Sequence, residues 1–127
     1  MDEPGSEIAR ATHAGAGFAS TSAIAHVEAS AALARMRKGA RLSGAEFETA
    51  LQKLEDLWRL LYIHAVSDSL IRDASVVAKE HALRAYDALH LASLMAFTER
   101  PLMLACWDNE LRGAARERGI PLVPAEL

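Results

Sequence analysis

The sequence predicts an α/β layered fold with a short parallel sheet, and three observations support this. Segments of helical spacing alternate with short apolar or β-prone runs at residues 61–66, 102–106 and 120–123, the order that lays helices on a parallel sheet. The run 102–106 (LMLAC) is apolar without alternation, as expected of a strand covered on both faces. The stretch 83–97 (LRAYDALHLASLMAF) is apolar around most of its circumference, which predicts a buried helix. At 127 residues, 51% hydrophobic and 24% charged, the chain is expected to form one soluble domain over 1–127. A chain of this size buries roughly two-thirds of its unfolded surface, enough for its own core.

Composition narrows the function classes. A net charge of −3 gives no overall signal for nucleic-acid binding, so a polyanionic partner needs a local basic patch or bound cations. One cysteine, Cys106, excludes an internal disulfide and suits a reducing cytoplasm. No apolar run reaches membrane-spanning length, and the acidic start MDEPGSE is unlike a secretory signal. No internal repeat, low-complexity tract or linker is found.

Along the chain, residues 7–14 suit a short helix closed by Gly15 and Gly17, and residues 18–21 a brief strand. Ser20, Thr21 and Ser22 offer hydroxyls to cap a helix over 23–38, with Ile24, Val27, Ala31 and Met36 on its inner face. Arg35, Arg37, Lys38 and Arg41 close that helix and its turn, where basic residues complement the helix dipole. A helix begins at Ser43 or Gly44 and runs to Leu60, with Phe47, Leu51, Leu54, Leu57 and Trp58 as its apolar stripe. Residues 61–66 (LYIHAV) form a strand that carries His64. Residues 67–81 form a helix with Leu70, Ile71, Ala74, Val77 and Ala78 inward. Pro101 ends the apolar helix 83–97, residues 110–118 form a helix stopped by Gly119, and Pro121 marks 120–123 as a sheet edge.

Three acids are candidates for chemistry, and each has a structural alternative. Asp87 lies near the start of the apolar helix, where the dipole alone favours an aspartate. Asp108 follows the strand 102–106, at the sheet edge where α/β folds bind ligands, but aspartate is also a preferred N-cap. Glu28 lies among alanines beside Val27 and also reads as an ordinary solvated or edge-of-core glutamate. Two carboxylates about 4 Å apart repel by roughly 4 kcal/mol at an effective dielectric near 20. Bringing acids together therefore needs a proton, a cationic side chain or a metal. Hard oxygen donors select Mg²⁺ or Mn²⁺, which can hold a phosphate and activate a water.

The segments DEPGSE, STSAIAHVEASAALARM, RAYDALHLASLM and LACWDNELRGAARERGIPLVP, in that order, resemble a PIN domain. The subgroup that they are most similar to is the VapC-type toxins of bacterial toxin–antitoxin pairs, and the likeness covers essentially the whole chain. It implies a PIN-like three-layer fold, with a short parallel sheet between helices. It also implies a cytoplasmic Mg²⁺- or Mn²⁺-dependent endoribonuclease whose partners are an RNA substrate, a cognate antitoxin and a second copy in a homodimer. Carried over by position, the catalytic and metal-binding acids are Glu28, Asp87 and Asp108, with carboxylates expected within about 10 Å of one another. Arg35, Arg37, Lys38 and Arg41 are candidates for gripping the RNA backbone.

The chain departs from the family at its start. Family members begin with an apolar strand that carries the first catalytic Asp, whereas this sequence begins at the later DEPGSE segment. An N-terminally truncated PIN-like domain lacking that strand is therefore expected, with the strand 102–106 bordering the gap and weak or absent activity. The alternative is an inactive PIN-like module that binds an antitoxin or another protein. An acidic-pocket receiver or phosphatase would need an Asp at the end of a first strand, which this sequence lacks.

Overall fold

A computed structural model describes residues 19–97, 103–105 and 108–126. The expected helix over 7–14 and both ends of the expected strand 102–106 lie outside these residues. The fold divides into two compact units, one within Phe18–Val66 and one that includes Ser67–Leu127.

In the first unit, strand β1 (Ser20–Ser22) is followed by helices α1 (Ile24–Lys38) and α2 (Gly44–Leu60) and by strand β2 (Tyr62–His64). The two strands pair in parallel, with Ser20 opposite Tyr62 and Ser22 opposite His64. Backbone bonds extend the pairing at both ends, from Tyr62 N–H to the Ala19 carbonyl (3.0 Å) and from Ala23 N–H to the His64 carbonyl (2.9 Å). Helix α2 starts where a serine can satisfy its first orphan donors. Ser43 Oγ accepts from Glu46 N–H at 3.1 Å while Glu46 Oε1 accepts from Ser43 N–H at 2.8 Å. The Ser43 backbone bond, and then its hydroxyl, hold the Glu46 carboxyl below the usual range. Between α1 and α2, Arg37 donates to the Leu42 carbonyl at 3.2 Å, and His26 meets Trp58 edge-to-face at 5.0 Å.

Two expectations for α1 need correction. Its N-cap is Ala23, with no side-chain cap, and Ile24 N–H reaches Ser22 Oγ at a long 3.4 Å. The serines and threonine are used instead as the extended backbone of β1, and the chain turns directly from strand into helix. Val27, expected inward, is 69% exposed, while Glu28 is half-buried. Ile24, Ala31 and Met36 are half-buried, so the departure from the expected face is at Val27. An alanine-rich sequence permits this, because alanines weight no face strongly.

The second unit holds α3 (Asp68–His81), α4 (Ala85–Met95), β3 (Leu104–Ala105), α5 (Asn109–Glu117) and β4 (Leu122–Val123). Strands β3 and β4 pair in parallel, Leu104 with Leu122 and Ala105 with Val123. Among the described residues the strands therefore form two parallel pairs. The core is made by Leu70, Ala74 and Val77 of α3, Ala88, Leu91 and Ala92 of α4, and Leu111, Ala114 and Ala115 of α5. Helix α4 packs against both α3 and α5, which accounts for its buried face. It is not buried all round as expected, since Ala85, Tyr86 and Ala96 are exposed. Ile71 of α3 is likewise exposed rather than inward, which leaves a narrower stripe at positions 70, 74 and 77.

Side chains fix the helix ends of this unit. Ser67 Oγ accepts from Leu70 N–H at 3.1 Å and caps α3. Ala82 closes that helix in the left-handed region at φ 53°, a position that glycine would adopt without its Cβ penalty. His81 is the last residue of α3, its side chain 8% exposed. Arg118 Nε donates to His81 Nε2 at 2.9 Å, so that nitrogen is the acceptor and Nδ1 carries the proton. Nδ1–H then donates to Glu117 Oε2 at 2.9 Å, and Arg118 also pairs with Glu80. Among the described residues, no helix is long and apolar enough to cross a membrane.

Candidate active site

Two helix starts in the second unit bring two of the three candidate acids together. Asp87 lies in the first turn of α4, where exposed helix N–H groups favour a negative charge. Asp108 is the N-cap of α5, and its Oδ1 accepts from Leu111 N–H at 3.0 Å. The cap uses one oxygen and leaves Oδ2 for another partner. Arg84, the residue before α4, supplies that partner. Its Nε donates to Asp87 Oδ2 at 3.1 Å and an Nη donates to Asp108 Oδ2 at 3.0 Å. A single guanidinium therefore bridges two acids that are 21 positions apart in the sequence.

The surroundings of the three groups differ. The Asp87 side chain is 17% exposed, against 70% for Arg84. The two carboxylates are held close by a cation that is itself largely in solvent. The bond to Asp87, then the charges of Asp87 and Asp108, raise the Arg84 pKa above its ordinary value, so it stays charged throughout the accessible range. This charge offsets the repulsion that two converging carboxylates otherwise suffer.

Glu28 lies on α1, in the first unit, half-buried. The basic cluster lies in that unit too. Arg35, Arg37 and Lys38 form the last turn of α1 and Arg41 the turn after it, all exposed. Arg37 has a structural task as well, through its bond to Leu42. Among the described residues, no three His, Cys, Asp or Glu side chains form a group able to hold a metal ion.

Two proteins of Mycobacterium tuberculosis, from different strains, extend the likeness to whole sequences. Ribonuclease VapC45 and ribonuclease VapC49 are each 34% identical to this chain over 125 residues, 98% of the chain and 87% of each relative. The chain belongs to the VapC family of PIN-domain toxins. No protein-family profile matches it.

In this VapC-family chain the α/β architecture with short parallel strands is compatible with a PIN-like fold. Asp108 caps α5 through Oδ1, the structural one of its two readings from sequence, and meets Arg84 through Oδ2. Arg84 is the site residue that sequence reasoning missed. A signal was present, since an arginine three positions before an aspartate lies on the same helix face. Its second bond, to Asp108, depends on the packing of α4 against α5.

Proposed function

We propose that this chain is a Mg²⁺- or Mn²⁺-dependent endoribonuclease, the toxin of a toxin–antitoxin pair, with Glu28, Asp87 and Asp108 as its acidic residues. The observation that carries this reading is the convergence of Asp87 and Asp108 on one cationic group. Carboxylate oxygens are hard donors, and a pair already facing a guanidinium brings the negative charge that attracts a hard divalent cation. The names of the relatives, both ribonucleases, support RNA as the substrate.

When bound at such a site, a divalent ion lowers the pKa of a water and stabilises charge on a phosphoryl oxygen. The residues of the chain supply the rest. Asp108 is aimed by its cap to Leu111, and Asp87 is held by its bond from Arg84, so both acids are oriented before use. By the family likeness, Glu28 is the third acid of this reading. Arg35, Lys38 and Arg41, with Arg37 contributing where its bond to Leu42 allows, would grip the RNA backbone by charge. A cognate antitoxin and a second copy of the chain are the protein partners that this reading includes.

Incubating the purified chain with a single-stranded RNA in Mg²⁺, Mn²⁺ or chelator tests this. Weak cleavage that needs the metal and stops in chelator is expected. Cleavage unaffected by chelator would rule out the metal mechanism, and no cleavage under any condition would favour an inactive module that only binds its partner.

A further inference from the structure

We infer that Arg84 is a displaceable counter-ion, a positioning residue that keeps Asp87 and Asp108 ready for a divalent cation and competes with that cation for their Oδ2 atoms. This rests on the metal-site reading above. Three features of the geometry lead to it. Both Arg84 bonds go to Oδ2 atoms, at 3.1 and 3.0 Å, and these oxygens belong to different helices. Oδ1 of Asp108 is committed to the α5 cap, and Oδ2 is the oxygen that meets the guanidinium. The Arg84 side chain is 70% exposed, so it can leave the acids for water, and exposed ion pairs of this kind are weak and exchangeable.

Competition follows directly. Two carboxylate oxygens occupied by a monovalent guanidinium are not available to a divalent ion until the side chain swings away. The apparent metal affinity is lowered by the share of molecules in which the bridge is closed. The benefit is pre-organisation. Without the bridge the two like charges would repel and sample separated rotamers. Arginine suits this role because its planar fork presents several N–H groups at once, whereas a lysine ammonium offers one compact charge.

Isothermal titration of Mn²⁺ into the wild-type chain, Arg84→Gln and Arg84→Lys tests the inference without RNA, with circular dichroism confirming the fold of each. Arg84→Gln should bind Mn²⁺ about 3- to 10-fold more tightly than wild type, the span expected for loss of exposed ion pairs, with Arg84→Lys between the two. A merely structural role for Arg84 would leave affinity unchanged or weaken it. Wild-type binding that neither variant strengthens overturns the competition and leaves the metal site standing. If none of the three proteins binds Mn²⁺, the metal-site reading fails and the competition fails with it. Should Arg84→Gln not fold, Arg84→Lys decides by the same criterion.

Discussion

Asp87→Asn should lower metal-dependent RNA cleavage by at least about 100-fold, the scale seen when one preorganised charge-stabilising group is removed from an active site. The amide fits the same space in the first turn of α4 but brings no charge to Arg84 or to a cation. Asp108 allows the site and the scaffold to be separated. Asp108→Asn should lose activity on a similar scale yet keep its stability, because an asparagine oxygen can still accept from Leu111 N–H. Asp108→Ala should lose activity and about 1 kcal/mol of stability, the usual cost of deleting an N-cap. Cleavage rates and urea midpoints for the three variants check both halves. Full activity in Asp87→Asn, or equal stability of Asp108→Asn and Asp108→Ala, would contradict these roles.

The largest expected effect on stability is at Arg112. This α5 residue is 3% exposed, and one Nη donates to the carbonyls of Pro124 (2.6 Å) and Ala125 (3.1 Å). It ties the segment after β4 to the helix beneath it. Arg112→Met keeps much of the volume but removes the donors, leaving the half-buried Pro124 carbonyl without them. Bonds from a charged donor contribute about 1.5–3 kcal/mol, and the exposed Ala125 carbonyl can turn to water instead. A loss of about 2–3 kcal/mol is expected, seen as a melting temperature lower by roughly 6–10 °C. A change below about 0.5 kcal/mol, the range of ordinary surface substitutions, would show that the clamp contributes little.

Local chemistry was legible in the sequence wherever a residue acts on its own helix. Ser43, Ser67 and Asp108 each read as helix starts, and each caps the helix that follows it. Spacing placed Leu70, Ala74 and Val77 on the buried face of α3 for the same reason. Sequence reasoning failed where a side chain's role depends on another element. Val27 was assigned to the core because it kept helical period, yet in a helix rich in alanine that period is a weak constraint. Glu28 is half-buried, which fits its reading as a glutamate at the edge of the core.

The candidate site divides in the same way. Asp87 and Asp108 stood out because each marks a helix start next to apolar sequence. That they meet at one guanidinium requires α4 and α5 to pack together, a long-range fact that no local pattern carries. Arg84 and Arg112 were unremarked for that reason. One bridges two helix starts and the other anchors residues 12 and 13 positions away.

A crystal structure of the chain soaked in Mn²⁺, with anomalous scattering collected at the manganese edge, tests the central proposal most directly. An anomalous peak bonded to Asp87 Oδ2 and Asp108 Oδ2, with the Arg84 guanidinium moved off both, is the expected result. A guanidinium still bridging the two acids at saturating Mn²⁺, with the peak elsewhere or absent, would contradict it.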